Sequence, residues 1–145
     1  MLVSQILKDK SIQEVLRVAP GSSVGEAAEM LSAKKVGGVI VSDGESGLPA
    51  GIVTERDIVR ELGKRGAICL EDKVDDIMTC ELVTCEPNDR AIRVLQVMTE
   101  KRFRHMPVME DGKLVGLVSI GDVVKARLDE LSSQADALKN MIMGY

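Results

Sequence analysis

The stretch Gly51-Ile-Val-Thr-Glu-Arg-Asp57-Ile-Val-Arg60 returns 65 residues later as Gly116-Leu-Val-Ser-Ile-Gly-Asp122-Val-Val-Lys125. The two stretches match in character everywhere except at the two positions that follow Thr54 and Ser119. A short apolar segment that ends in Thr or Ser, with an acidic residue three positions later, is typical of a strand that leads into a capped helix. Each copy therefore predicts the same strand–helix junction.

The repetition extends well beyond these junctions. Residues 36–41 match 103–108, and residues 17–20 match 84–87, both at an offset of 67. The change of offset places two extra residues in the first copy, in the glycine-containing turn around residues 43–47. The lead-ins Val3-Ser-Gln-Ile-Leu7 and Val74-Asp-Asp-Ile-Met78 also resemble each other. The chain is therefore two copies of one βαββα unit.

Hydrophobic periodicity predicts the elements of each unit. The first strands are expected at about 16–18 and 82–85. The main helices should begin at Ser23 and near Asn88-Asp89, with apolar faces formed by Val24, Ala27, Ala28 and Leu31, and by Ala91, Ile92, Leu95 and Met98. Hairpins are expected at 36–41 with 50–54 and at 105–109 with 114–118, followed by closing helices at 55–63 and 120–130. The strands are continuously apolar, as in sheets that are covered on both faces.

These elements predict an α/β (α+β) chain with four segments: repeat 1 at 1–64, a linker at 65–73, repeat 2 at 74–130 and a helical tail at 131–145. A unit of half this length would be marginally stable alone, so the two repeats should share one core. Leu131, Ala135, Leu138 and Ile142 are spaced as on one helix face. This stripe packs either on the module itself or on a second copy of it.

Composition excludes several functions. The net charge of -4 argues against duplex binding, and a content of one Phe, one Tyr and no Trp argues against stacked single strands. No apolar stretch reaches the ~18 residues that a membrane span needs, and no signal peptide is visible. Three cysteines and a single histidine do not predict a zinc site. Free thiols suit a reducing, cytoplasmic compartment, and we expect Cys80 and Cys85 to be buried and structural.

The junctions at Thr54 with Asp57 and at Ser119 with Asp122 admit two interpretations. A hydroxyl residue at the N-cap with an acid three residues later simply caps a helix. The same geometry also offers backbone N–H groups and a hydroxyl to an anion, and a carboxylate to a pair of vicinal hydroxyls. Phosphate and a ribose diol together describe a nucleotide, but the motif by itself leaves both interpretations open.

A basic cluster precedes the second hairpin: Lys101, Arg102, Arg104 and His105. Lys101 and Arg102 fit a solvated helix end, where the helix dipole favours cations. Arg104 and His105 lie closer to the strand and are candidates to meet a phosphate. The first copy has Gly37 and Gly38 at the equivalent positions, so the two copies should not bind anions equally.

With these motifs in order, the sequence resembles a pair of cystathionine-β-synthase (CBS) domains over residues 1–130, and the tail resembles that of stand-alone CBS-pair proteins. The G-x-x-[Thr/Ser]-x-x-Asp junction occurs twice, preceded by Val-Gly-Gly-Val-Ile-Val at 36–41 and by Arg-His-Met-Pro-Val at 104–108. The resemblance implies two repeats packed about a pseudo-two-fold axis, with small mixed sheets flanked by helices and two clefts shared between the repeats. Isoleucine at position 40, where the second copy has Pro107, departs from the family pattern.

The resemblance also implies a site. Asp57 and Asp122 would bind ribose hydroxyls, and Thr54 and Ser119 would bind phosphate. The base would lie among apolar and backbone contacts, and Arg104 and His105 would meet phosphate near the axis. The contacts expected for the base are Val18 and Ala19 in one copy, Val83 and Thr84 in the other, and the strand residues Val39 or Met106. Pro107 is also expected to contact the ligand. The cleft that contains Ser119 and Asp122 is the expected preferred site.

The function that follows is a regulatory module that senses AMP, ADP, ATP or a related adenosyl ligand and passes a conformational change to a regulated protein. S-adenosylmethionine and NAD(H) are related ligands of the family. The alternative is a ligand-independent dimerisation or protein-interaction module, and a homodimer is expected in either case. An enzyme is disfavoured, because the chain has one histidine, no Ser–His–acid spacing and no Walker-type phosphate loop.

Overall fold

The computed structural model describes residues 1–10, 14–44 and 48–144 of the chain. The first part of the chain contains five elements and the strand order β1-β2-β3, with β1 parallel to β2 and β2 antiparallel to β3. These elements are α1 (Val3–Asp9), β1 (Arg17–Val18), α2 (Val24–Lys34), β2 (Gly38–Val41) and β3 (Gly51–Thr54). The helix α3 (Glu55–Arg65) closes this repeat, as the Thr54 junction predicts. The two extra turn residues predicted around 43–47 fall partly outside the described residues.

The second repeat follows the same plan with one strand fewer. It contains α4 (Ala91–Lys101), the antiparallel pair β4 (His105–Glu110) and β5 (Lys113–Ser119), and α5 (Ile120–Met143). The strand predicted at 82–85 is reduced to one parallel bridge between Cys85 and Val108. The bounds of both hairpins agree with the sequence to within two residues, and the mixed α/β architecture is confirmed.

Local capping explains where the main helices begin. Ser23 caps α2 as predicted, because its Oγ accepts a hydrogen bond from the Glu26 N–H at 3.1 Å. The prediction that α4 begins near Asn88-Asp89 is wrong by about two residues. The Asp89 carboxylate instead accepts the Glu86 N–H at 2.8 Å and closes a turn that precedes the helix. This turn delays the start of α4 to Ala91.

The closing helix predicted at 120–130 and the tail helix are one continuous helix, α5. No glycine or proline interrupts the sequence between Gly121 and Gly144, so nothing breaks the helix at residue 130. Every residue from 131 to 144 is exposed. The apolar stripe of the tail therefore does not pack on the module, which leaves a second copy as the predicted partner.

The two lead-in segments exchange places between the repeats. Val3 and Ile6 of α1 are buried in the apolar cluster of the second repeat, whereas Val74 of the second lead-in is buried in the cluster of the first. The connecting residues form a short 3₁₀ helix, Gly66–Glu71, which buries Cys69 completely. The described buried residues form two apolar clusters, so the expectation of one shared core is wrong. Each repeat instead completes the core of the other, which is how two half-size units reach a stable size.

Two glycines at equivalent positions make this exchange possible. An ideal Cβ on Gly116 would lie 2.6 Å from a terminal carbon of Leu7, and a Cβ on Gly51 would lie 2.6 Å from the Met78 Sδ. Leu7 and Met78 are the equivalent residues of the two lead-ins. Each strand β3 and β5 therefore keeps a glycine where the partner repeat's lead-in crosses closest to its backbone.

Candidate ligand-binding clefts

Two clefts open between the repeats. The first, named here the Ser119/Asp122 cleft, encloses about 580 Å³ and is lined by residues of α1, of the end of α2 and of β5. The second, the Thr54/Asp57 cleft, encloses about 1140 Å³ and is lined by α3, by residues 79–83 and by the start of β4. Ligand pockets commonly enclose about 300–1,000 Å³. The first cleft therefore has the size of a small-molecule site.

In the Ser119/Asp122 cleft the carboxylate accepts hydrogen bonds from two donors, and the Asp122 N–H closes the cap. The Ser119 N–H donates to Asp122 Oδ2 at 2.9 Å, while the Ser119 Oγ accepts the Asp122 N–H at 3.1 Å. Lys10, the residue that follows α1, donates its Nζ hydrogen to the same Oδ2 at 2.8 Å. Burial raises the pKa of Asp122, but the hydrogen bonds from Lys10 and Ser119 outweigh burial and bring that pKa below its ordinary value. The carboxylate is therefore ionised at neutral pH, and Asp122 lines the cleft.

In the Thr54/Asp57 cleft the same cap is more closed. Asp57 Oδ2 accepts the Thr54 N–H at 2.9 Å and the Thr54 hydroxyl at 3.0 Å. Arg60, one turn further along α3, donates to Asp57 Oδ1 at 2.7 Å. The Asp57 residue is only 6% exposed. Both oxygens of this carboxylate are therefore engaged by residues of its own helix and cap.

His105 lies between the two clefts and lines both. Its ring occupies the space that two glycines of the first repeat leave free, since an ideal Cβ on Gly38 would lie 2.9 Å from its Cδ2. Burial is the main cause that lowers the pKa of His105, and the nearby Lys10 lowers it further. The imidazole is thus neutral at pH 7, and its buried Nδ1 has no hydrogen-bond partner among the described residues.

The pairing of Gly37 and Gly38 with His105 explains the inequality of the two copies. These glycines are not simply positions that lack an anion-binding side chain, as the sequence suggested. Positions 38 and 105 are equivalent in the two repeats and face each other, so a large ring in one repeat requires no side chain in the other. The asymmetry is a packing requirement.

The structure brings together only part of the predicted site. Ser119, Asp122 and His105 line one cleft, and Thr54, Asp57, Val83, Arg104, His105 and Pro107 line the other. Arg104 therefore lies away from the cleft that the sequence favours. Five predicted residues line neither cleft: Val18, Val39 and Met106 are buried in the apolar clusters, and Ala19 and Thr84 are exposed elsewhere. Side chains alternate along a strand, so His105 and Pro107, the neighbours of Met106, line the clefts instead.

The sequence interpretation missed most of the basic residues at these sites. In the described part of the chain, nine lysines and arginines line the two clefts, against five acidic residues, although the whole sequence has 19 basic and 23 acidic residues. Lys34 and Lys35 line the first cleft as Lys101 and Arg102 line the second, at equivalent ends of α2 and α4. The repeat offset of 67 relates Lys34 and Lys35 to Lys101 and Arg102, so the repeat could have identified the first pair as candidate cleft residues. An acidic chain thus concentrates positive charge where the repeats meet.

The cysteines divide by environment. Cys85 is buried, and burial, reinforced by Asp89 and Glu86, raises the pKa of its thiol to about 12. This thiol stays protonated and unreactive at neutral pH. The expectation that Cys80 is buried is wrong, because residues 79–81 form an exposed connection on the protein surface.

None of the helices in the described part of the chain is both long and apolar enough to cross a bilayer.

The lowered pKa of His105 predicts that the protein loses stability on acidification. The unfolded chain takes up a proton near pH 6.5, whereas the folded chain resists protonation, so the free energy of unfolding falls as the pH drops below about 6.5. We expect the urea midpoint to be lower at pH 5.5 than at pH 7.5, and this difference to shrink in His105→Gln. An equal pH dependence in the two proteins would contradict the assignment.

Comparison with known proteins agrees with this architecture. The CBS domain family model matches residues 3–64 and again residues 74–129. The mitochondrial CBS domain-containing protein CBSX3 of Arabidopsis thaliana is 40% identical over 125 residues, which cover 84% of this chain but only 61% of that relative. A crystal structure of a CBS-domain containing protein from Agrobacterium tumefaciens is 44% identical, with a TM-score of 0.81 over 88% of this chain and 99% of that one.

Two more distant structures with this fold carry ligands. A CBS domain protein from Pyrobaculum aerophilum, complexed with AMP, has a TM-score of 0.76 at 24% identity and covers 92% of this chain and 99% of its own. The CBS domain pair of protein MJ0100, in complex with 5-methylthioadenosine and S-adenosyl-L-methionine, has a TM-score of 0.77 at 23% identity over 90% and 98%. The two family matches and the shared fold show that this chain belongs to the CBS domain family, as a tandem pair of CBS domains.

Proposed function

We propose that the chain is a regulatory module that binds an adenine nucleotide between its two repeats and passes a conformational change to a partner protein. The observation that carries this proposal is the Ser119/Asp122 cleft. It combines a capped helix N-terminus, an ionised carboxylate and a lysine-rich wall in one cavity of about 580 Å³. A carboxylate suits a ribose diol, and cations beside a helix N-terminus suit phosphate.

The fold itself is compatible with such ligands, since distant members of the family hold AMP, or 5-methylthioadenosine and S-adenosyl-L-methionine. Among AMP, ADP, ATP, NAD(H) and S-adenosylmethionine, the basic lining of the clefts favours ligands that carry phosphate. We propose binding and not catalysis as the role of this site. Its only histidine is packed against Gly38, and the Cys85 thiol is held in its protonated form.

A ligand in this cleft would contact both repeats at once. The lining contains Gly37 and Gly38 at the start of β2, Ser119 and Asp122 of the second repeat, and Lys10 after α1. A ligand shifts a conformational equilibrium only by its differential affinity for the two states. Elements from both repeats around one cavity provide that difference, because any change in the angle between the repeats changes the cavity.

A thermal unfolding panel tests the proposal. At a concentration of 100 times its dissociation constant, a ligand stabilises the folded state by about 2.7 kcal/mol. For a chain of this size we expect the Tm to rise by several degrees, at roughly 2–4 °C per kcal/mol. AMP, ADP, ATP, NADH and S-adenosylmethionine should be compared at equal concentrations. If none of them raises the Tm, the proposed function is wrong.

The exposed tail of α5 favours a second candidate function, which is self-association through this helix. Val124, Leu128, Leu131, Ala135, Leu138 and Ile142 follow one another in alternating steps of four and three residues. This is the spacing of a two-helix seam, and Leu138 and Ile142 are 57% and 76% exposed. The seam matches a second copy of the same helix, which would make the module a homodimer with or without a ligand.

Light scattering after size-exclusion chromatography tests this second function. We expect a dimer mass for the intact chain and a monomer mass for Leu138→Glu, since a charge in the seam would lose its water on association. The matched control is Ala137→Glu, which adds the same charge to the same helix but outside the seam. A Leu138→Glu protein that remains dimeric would show that the tail is not the interface.

The compartment in which the protein acts is also a proposal. The three cysteines are free, and Cys69 and Cys85 are buried, which suits a reducing compartment such as the cytoplasm. The relative named above carries the description mitochondrial, so fractionation of the native source is the direct test. Recovery with a mitochondrial or secreted fraction would contradict the cytoplasmic proposal.

A further inference from the structure

The Ser119/Asp122 cleft holds an ion pair that a nucleotide would have to break. Lys10 Nζ donates to Asp122 Oδ2 at 2.8 Å and to the Leu117 carbonyl oxygen at 2.7 Å. The same Oδ2 atom also accepts the Ser119 N–H at 2.9 Å. Both charged side chains are only about one quarter exposed, at 25% and 26%. A diol that uses both oxygens of this carboxylate therefore competes with Lys10 for Oδ2.

Lys10 reaches this position through the exchange of the lead-ins. It follows α1 directly, and α1 is anchored in the second repeat by the buried side chains of Val3 and Ile6. The backbone at Lys10 is extended, with φ -70° and ψ 139°, which directs the chain away from the helix axis. The lysine is thus supplied by a segment that is fixed on the N-terminal side, and its long side chain can change partner without moving α1.

In the other cleft the lead-in supplies no such cation. The alignment of Val3 with Val74 makes Glu81 the counterpart of Lys10, and Glu81 lines the Thr54/Asp57 cleft. Asp57 takes its cation from Arg60 on its own helix instead. The lead-in thus contributes a positive charge to one cleft and a negative charge to the other.

We propose, on the basis of the nucleotide-binding function above, that Lys10 selects phosphorylated ligands in the Ser119/Asp122 cleft. The ribose diol hydrogen-bonds to Asp122 and displaces Lys10, and the ligand's phosphate then pairs with the displaced ammonium of Lys10. A nucleoside would displace Lys10 from the same carboxylate but carries no anion that could pair with Lys10. The displaced ammonium would then remain unneutralised in a cleft that Lys8, Lys34 and Lys35 also line. S-adenosylmethionine brings further positive charge, so it binds less well than AMP.

Isothermal titration of adenosine, AMP, ATP and S-adenosylmethionine tests this selection. We expect the intact protein to bind AMP at least about tenfold more tightly than adenosine. In Lys10→Gln that ratio should fall towards one, because AMP loses its cation while adenosine loses its competitor and binds more tightly. Lys10→Arg keeps a cation and should retain the ratio. The matched control Lys125→Gln removes the same charge from an exposed position on α5 that lines neither cleft.

The outcomes separate the two proposals. Titrations of Asp122→Ala identify the part of the binding that belongs to this cleft. If the intact protein binds none of the four ligands, both the proposed function and the role of Lys10 are wrong. If it binds them and Lys10→Gln leaves the ratio of AMP to adenosine affinity unchanged, or weakens both in proportion, the role of Lys10 alone is overturned. A purely structural lysine would produce the proportional loss.

Discussion

Gly51→Val is expected to lower the free energy of unfolding by about 3 kcal/mol or more, because the strand β3 has no space for a side chain at this position. Even a single Cβ would lie 2.6 Å from the Met78 Sδ and 2.8 Å from the Thr79 carbonyl oxygen. Overpacking a buried site costs about 1–3 kcal/mol when side chains can adjust. Here a backbone atom is also involved, and Thr79 is fixed by two hydrogen bonds with Ile52, at 2.9 and 3.0 Å.

Two other glycines provide matched controls for this experiment. A Cβ on Gly116, the equivalent position of the second repeat, would meet only the flexible end of Leu7, so Gly116→Ala should cost less than Gly51→Ala. Gly63 lies within α3 and has no atom within 4 Å of an added Cβ. Gly63→Ala should therefore stabilise the protein by about 0.5–1 kcal/mol. Urea unfolding measures all four variants, and equal stability of Gly51→Ala and Gly116→Ala would contradict the close approach of the second lead-in.

The sequence predicted the fold because the two copies of the unit match residue by residue, so each copy supports the elements assigned to the other. The strand–helix junctions at Thr54 and Ser119, and both hairpins, were found at nearly the correct bounds. The sequence could not show that the lead-ins are exchanged. Val3 and Val74 begin similar segments, and nothing in those segments indicates that each is buried in the cluster of the other repeat. The path of the connecting chain decides which repeat each lead-in joins. Local periodicity does not predict that path.

The candidate site was predicted less completely than the fold. The junction residues Asp57 and Asp122 line the clefts, since a capped helix start places them there. The basic residues could not be placed from the sequence, because Lys10 and Lys35 line one cleft with Asp122 only after segments that are distant in the sequence pack together. Arg104, which directly precedes β4, lines the Thr54/Asp57 cleft, because the orientation of the repeats decides which cleft this side chain reaches. The phosphate contact expected for Arg104 stays a prediction.

Asp122→Ala is expected to weaken nucleotide binding by at least about 100-fold and to remove the ligand-induced rise in Tm. A ribose diol would make two hydrogen bonds to this carboxylate, each contributing about 1.5–3 kcal/mol because the acceptor is charged. Each 1.4 kcal/mol corresponds to a factor of ten in the dissociation constant. Asp129→Ala, which removes the same charge from an exposed position on α5, is the matched control and should bind as the intact protein does.

The comparison with Asp57→Ala identifies the preferred cleft. The side chain of Asp57 is 8% exposed, and its oxygens are already engaged by Thr54 and Arg60, whereas the side chain of Asp122 is 26% exposed and has one mobile partner, Lys10. Removing Asp57 should therefore reduce stability, through the lost cap and ion pair, more than it reduces affinity. Removing Asp122 should do the reverse. If titration calorimetry finds instead that Asp57→Ala abolishes binding while Asp122→Ala stays within about threefold of the intact protein, the nucleotide lies in the Thr54/Asp57 cleft, where Arg104 would reach its phosphate.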